Sequence, residues 1–144
     1  MTWLTVMWRI TIHVLSWARP RKKVPVHELG LLRGVVAAVE RKATSLGATG
    51  VEAVGVRVGA LSGAIPEALA GAWSIAIAGT TLEGATLEID PVVAAVWCPT
   101  CQDEQPIDEF YALRCPVCDT PTGQLVRGRE FEVTYADMTI PDQG

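Results

Sequence analysis

An α+β fold is what this sequence predicts: two helices packed on a small three-stranded mixed sheet, with a four-cysteine subdomain inserted before the last strand. Three observations carry the prediction. Apolar residues recur at helical spacing from Leu29 to Leu46 and again from Leu69 to Ile77. Three segments, near residues 54–58, 85–90 and 130–135, alternate apolar and polar side chains at the period of a strand. All four cysteines are gathered into Cys98-Pro99-Thr100-Cys101 and Cys115-Pro116-Val117-Cys118, with thirteen residues between the two motifs.

The first 25 residues differ from everything after them. They hold Trp3, Trp8 and Trp17, and five basic residues (Arg9, Arg19, Arg21, Lys22, Lys23) with no acid. As a secretory signal the order is reversed, because the positive cluster follows the apolar stretch and no small-residue cleavage site is seen. As a membrane span the stretch is short and carries Arg9 near its middle. Two readings stay open for it: a segment lying on a membrane surface, or an atypical N-terminal extension that does not belong to the working protein. In the second reading it is poorly packed against the core.

From Val26 the pattern becomes regular. Leu29, Leu32, Val36, Val39, Ala43 and Leu46 are spaced 3, 4, 3, 4 and 3 apart, the stripe of an amphipathic helix. Glu28 stands in its first turn, where the helix dipole favours a carboxylate, and Gly47 suits its C-terminal cap. Val54, Val56 and Val58 alternate with Gly55 and Arg57 in a strand that ends at Gly59. Leu61-Ser62-Gly63-Ala64 is a turn. Pro66 fits the first position of a second helix that buries Leu69, Ala72, Trp73, Ala76 and Ile77 and stops at Gly79. Ala85, Leu87 and Ile89 alternate with polar residues in a second strand. The connector 91–97 has no glycine or charge run, so it couples this strand to the cysteine unit mechanically. Phe110, Tyr111 and Leu113 are expected to cover the cysteine hairpin. Phe131, Val133 and Tyr135 form one apolar face of a final strand that returns to the first sheet.

Each C-x2-C motif is a tight turn that aims two thiolates at one point, and the proline after the first cysteine presets φ near −65° for it. Two such knuckles facing each other across a hairpin supply the closed tetrahedral shell of a structural zinc site. Two disulfides, or a redox dithiol, are the other uses of four cysteines. The first is unusual without a secretory signature; the second leaves one pair unexplained. A chain of 144 residues carries one good core, or a modest core plus a metal-stapled unit to which zinc supplies folding energy. We therefore expect an inserted four-cysteine zinc-ribbon subdomain at 94–126. The remaining units are an α/β domain made of 26–93 plus 127–140, and the extension 1–25.

Charge and motif content exclude several functions. Residues 26–144 hold seven basic and sixteen acidic residues, a net −9, which argues against a nucleic-acid partner, since that affinity rests on Lys and Arg. Gly59-Ala60-Leu61-Ser62-Gly63 lacks the lysine and spacing of a phosphate loop. With only His13 and His27 available, no Ser/His/Asp set is plausible. The acidic pairs Asp108 and Glu109, and Glu130 and Glu132, read as solvated faces. No enzyme is predicted. Chemistry narrows to Val26-His27-Glu28, which on residue types alone is an ordinary surface pair at a helix start.

His27-Glu28-Leu29 opening an amphipathic helix, the strand Val56-Arg57-Val58-Gly59 running into Leu61-Ser62, a second helix, Glu83-Gly84-Ala85-Thr86-Leu87-Glu88-Ile89, two cysteine knuckles and a last strand follow one another in order. This arrangement resembles the HypA/HybF family of hydrogenase-maturation nickel metallochaperones over residues 26–138. The resemblance implies His27 as a nickel ligand with Glu28 as its neighbour, and Cys98, Cys101, Cys115 and Cys118 as zinc ligands. It implies structural Zn(II), transported Ni(II), and a HypB-type GTPase and a hydrogenase large-subunit precursor as partners. We expect a cytoplasmic protein, monomer or homodimer, without a membrane partner. In that family Met-His-Glu is the N-terminus itself. Here Val26 stands in the methionine's place, and we expect it to be the native initiator, read from a GTG codon. The rival functions are a zinc-ribbon protein-interaction module and a nucleic-acid-binding module, neither transferring metal.

Overall fold

The computed structural model describes residues 26–108 and 112–142. The expectation that the extension 1–25 stays apart from the core, and the positions of Phe110 and Tyr111, lie outside the described residues. Eight elements follow one another: α1 (Val26–Leu46), β1 (Gly50–Gly59), α2 (Pro66–Ile77), β2 (Thr86–Val92), β3 (Ala95–Cys98), β4 (Asp103–Pro106), β5 (Leu125–Arg127) and β6 (Phe131–Thr139). They make two three-stranded sheets, ordered β2-β1-β6 and β4-β3-β5.

The stripe that predicts α1 is the face it buries. Leu32, Val36, Val39 and Ala43 are buried, and Leu29 and Leu46 pack against the same core. The helix ends as Gly47 anticipates. Gly47 takes φ 66°, its N–H donates to the Thr44 carbonyl at 3.2 Å, and the Ala48 N–H donates to the Ala43 carbonyl at 2.9 Å. This is the paired-bond termination that a glycine allows without a Cβ penalty. In α2, Pro66 occupies the first turn, and Leu69, Trp73, Ala76 and Ile77 are buried. The Trp73 Nε1–H donates to the Ala85 carbonyl at 2.7 Å inside the core. That bond ties α2 to the start of β2 and satisfies the indole, whose N–H needs a partner when buried.

Strand β1 is central. It runs parallel to β2, Val56 opposite Ile89, and the crossover that parallel pairing needs is α2. It runs antiparallel to β6, Val56 opposite Val133. Val54, Val56 and Val58 point to the helices and form the core with both of them. On the other face Arg57 reaches across the sheet, donating to Asp90 of β2 at 3.1 Å and to Glu132 of β6 at 3.3 Å.

One strand departs from its sequence pattern. The pairing of β1 with β6 slips between Gly55 and Val56, so Val133 opposes Val56, Tyr135 opposes Gly55 and Thr134 is the extra residue. A bulge of one residue reverses the facing of what lies beyond it. Phe131 and Val133 join the helix-side core, as do Ala136 and Met138, while Tyr135 does not. The expected common face of Phe131, Val133 and Tyr135 is thereby corrected. Tyr135 instead lies over Gly55, where any Cβ would overlap its ring.

Candidate metal centre

The second sheet is small, with a core of Ala94, Val96 and Ile107 flanked by Leu61 and Leu125. Its job is to present Cys98, the last residue of β3. The chain then turns through Pro99 and Thr100 to Cys101 and back along β4, Cys98 pairing with Asp103. The turn closes with Gln102 at φ 53°, and the second knuckle closes in the same way with Asp119 at φ 61°. In each knuckle a backbone N–H points at the first sulfur: Cys101 N–H to Cys98 Sγ at 3.4 Å and Val117 N–H to Cys115 Sγ at 3.4 Å. The second knuckle is held by the Cys115 N–H to the Thr120 carbonyl at 2.8 Å and the Asp119 N–H to the Cys115 carbonyl at 2.9 Å. Thr122, four residues after Cys118, donates its hydroxyl to the Trp97 carbonyl at 2.6 Å and so docks the second knuckle on β3.

The four sulfurs converge. All lie within 4.8 Å of one another, with Cys98 to Cys118 at 3.4 Å and Cys101 to Cys115 at 3.9 Å. A tetrahedron with sulfurs about 2.3 Å from a central zinc has edges of about 3.8 Å, so this spacing fits the ion. All four cysteines are free thiols, and the short distances run between knuckles. Among the described residues this is the cluster of His, Cys, Asp and Glu able to hold a metal ion; His27 and Glu28 are joined by no third such group.

Crowding sets the thiols against one another. The Thr120 hydroxyl and N–H bonding to it lower the Cys118 pKa to about 6. Cys101, a hydrogen-bond partner of Cys118 and close to Cys98 and Cys115, is pushed up to about 12. Four thiolates this close repel unless a cation lies between them, and a divalent ion with soft-donor affinity answers that need.

The predicted cover of the hairpin is corrected at Leu113. It is 61% exposed, with φ 55°. Its carbonyl accepts from the Thr122 N–H at 2.8 Å, and the neighbouring Arg114 bridges to Pro121. The backbone here is committed to pairing, and the left-handed turn leaves the side chain outside. Cys98 and Cys115 are buried all the same, whereas Cys118 is exposed.

At the other end of the chain, His27 is half-buried in the first turn of α1 and Glu28 is 6% exposed. An exposed helix-start pair is not what the fold provides. Glu28 stands four residues before Leu32 and seven before Val35, both buried, so helical periodicity puts it at the head of the core-facing stripe. Its spacing of four and seven residues from Leu32 and Val35 is the signal in the sequence. Sequence reasoning also missed Thr120, whose hydroxyl contacts Cys118 Sγ at 3.1 Å and donates to the Thr100 hydroxyl at 2.9 Å. A threonine inside one knuckle and another two residues after the other was the available clue.

The family model described as "Hydrogenase/urease nickel incorporation, metallochaperone, hypA" matches residues 26–138. The hydrogenase maturation factor HypA of Chloroflexus aurantiacus is 40% identical over 108 residues, covering 75% of this chain and 95% of that protein. Its counterpart in Methylocella silvestris is 37% identical over 115 residues, covering 80% and 99%. The solution structure of the Ni metallochaperone HypA from Helicobacter pylori superposes with a TM-score of 0.56 at 18% identity, covering 78% of this chain and 97% of that one; this last likeness is one of fold. The match begins at the residue where α1 begins and contains both knuckles, and the chain belongs to the HypA family of hydrogenase/urease nickel-incorporation metallochaperones.

Proposed function

We propose that this protein binds Ni(II) at the start of α1 and delivers it to a hydrogenase large-subunit precursor during [NiFe]-hydrogenase maturation, with a HypB-type GTPase as partner. The observation that carries the reading is the family match over 26–138, which places His27 and Glu28 at the opening of the matched region. His27 is the nickel ligand and Glu28 its neighbour. An imidazole and backbone nitrogens from consecutive residues suit the square-planar preference of Ni(II) with nitrogen donors. Glu28 is buried in the same first turn of α1. A cargo site with few side chains releases its metal more readily than a closed shell does.

Cys98, Cys101, Cys115 and Cys118 are the zinc ligands in this reading. Zinc supplies a cross-link between two knuckles that the small core of Ala94, Val96 and Ile107 is too slight to hold by itself. With four sulfurs the shell is closed, so the site is structural and the chain acts without catalysis. The units are 26–93 plus 127–140 for nickel and 94–126 for zinc. The working compartment is the cytoplasm; among the described residues no helix is long and apolar enough to cross a membrane.

The deciding experiment is a nickel titration of the wild-type and His27→Ala proteins with zinc content measured in parallel. The expected result is loss of nickel binding with zinc unchanged. Undiminished nickel binding by the His27→Ala protein overturns the assignment.

A further inference from the structure

Of the four sulfurs, Cys118 is the exposed one, and it is the one contacted by a side-chain hydroxyl, that of Thr120 at 3.1 Å. Thr120 is not left to rotate freely. Its carbonyl accepts the Cys115 N–H at 2.8 Å, so its backbone is part of the second knuckle. Its hydroxyl also meets the Thr100 hydroxyl of the first knuckle at 2.9 Å. A chain of polar atoms, Cys118 Sγ to Thr120 Oγ1 to Thr100 Oγ1, thus joins the two turns.

We propose that Thr120 is a positioning residue for the cysteine centre, whose hydroxyl bonds the Cys118 sulfur and restrains the reactivity of the most exposed of the four thiolates. This inference rests on the four-cysteine metal reading given above. A metal-bound sulfur carries no proton and only accepts. A threonine hydroxyl has a single proton and two lone pairs. Whenever Cys118 is a thiolate, as it is with the metal held, the Thr120 O–H turns from Thr100 to the sulfur, and the Thr100 O–H donates to Thr120 in its place. The direction of the chain reverses while its atoms stay where they are. A hydrogen bond to a thiolate withdraws charge from sulfur, which lowers its nucleophilicity toward electrophiles and toward competing protons. Charge-assisted bonds of this kind are about twice as strong as neutral ones. Cys98 and Cys115 are protected by burial and by the N–H groups of their own knuckles; at Cys118 the hydroxyl does that work.

The test uses the full-length protein loaded with zinc or with Co(II), as wild type, Thr120→Val, Thr120→Ser and Thr100→Val. Alkylation by iodoacetamide is followed at Cys118 by peptide mass spectrometry on the zinc form, and the sulfur-to-metal charge-transfer band is read on the Co(II) form. Thr120→Val is expected to speed Cys118 alkylation by roughly tenfold, the effect of one hydrogen bond to a charged group, and to move the band to lower energy. Thr120→Ser restores both, and Thr100→Val changes both in the same direction but less. Wild-type rate and band in Thr120→Val overturn the proposal, as does a Thr120→Ser protein that behaves like Thr120→Val, which marks Thr120 as a packing residue. If Thr120→Val does not fold, Thr100→Val decides: an unchanged rate and band overturn the proposal. A wild-type protein that takes up no Co(II) at the cysteines overturns the metal reading and this inference with it; uptake with no difference among variants overturns the inference alone.

Discussion

Gly59 and Gly128 approach so closely that a Cβ on Gly59 would overlap the carbonyl group of Gly128. Gly59 ends β1 in the larger sheet; Gly128 lies between β5 of the smaller sheet and β6 of the larger. Around this contact the Leu61 N–H donates to the Gly128 carbonyl at 2.6 Å, the Gly59 N–H to the Glu130 carbonyl at 2.7 Å and the Ala60 N–H to the Val92 carbonyl at 2.9 Å. Gly128 in turn presses on Ala94, at φ 124°. The two sheets are therefore joined by interlocked backbone, and Leu61 plugs the smaller core from the larger unit's turn.

Filling that contact should be costly. Gly59→Ala forces backbone apart at a buried position, and overpacking of this kind costs about 1–3 kcal/mol. Gly34→Ala is the control: Gly34 is exposed in α1 with nothing within 4 Å of an added Cβ, and replacing a helix-interior glycine stabilises by roughly 0.5–1 kcal/mol. Urea unfolding of the two variants should shift in opposite directions. Equal stability of Gly59→Ala and wild type would show the junction to be loose.

Metal removal should act on one unit. The protein is expected to carry one zinc per chain, with four sulfurs at about 2.3 Å by X-ray absorption. Chelation, or Cys115→Ala, should release the metal and abolish hydrogen-exchange protection in β3, β4 and β5, while α1 and β1 stay protected. Structural zinc binding is worth about 10–16 kcal/mol in isolated fingers, so the local loss is large. An ordered, metal-free second sheet would refute this.

The metal-free thiols should separate by pH. The thiolate is the form that alkylates. Cys118, lowered to about 6 by Thr120, should react at neutral pH and lose reactivity as pH falls through about 6. Cys101, pushed up to about 12 beside Cys118, should stay protonated and slow. The stability linkage follows the same signs. Ionised Cys118 favours the folded chain above the ordinary thiol pKa of 9.0, and that contribution fades as pH drops toward about 6. Protonated Cys101 favours it below 9.0, and that contribution fades as pH rises toward about 12. Site-resolved mass spectrometry of alkylated, chelator-treated protein reads both cysteines at once; equal reactivity at neutral pH would contradict the geometry.

Nickel binding should respond to a free amine beside His27. Removing residues 1–25 and substituting Val26→Met creates one, and a planar, nitrogen-rich Ni(II) complex is then expected. Calorimetry and visible absorption should show tighter binding than in the 144-residue chain. Identical affinity and spectra in the two chains would exclude the amine from the site.

Local patterns along the chain carry only what sequence separation can encode. Leu32, Val36, Val39 and Ala43 share a face because an α-helix repeats every 3.6 residues, and that face is buried whatever it meets. Gly47 ends α1 because few residues tolerate its φ. Two C-x2-C turns gather four thiolates because each turn is local, and the order of helices and strands around them limited the fold to a helix-covered mixed sheet. Tertiary structure alone decided the rest. Thr134 becomes a bulge, and Tyr135 changes face, only once β6 finds its register on β1. Gly55 is needed for the ring that this register puts over it. Gly59 meets Gly128, Leu113 is turned outward, and Thr120 reaches both Cys118 and Thr100 through contacts between segments distant in the chain. Such contacts depend on which backbones pair and how closely, and no periodicity along one segment carries that information.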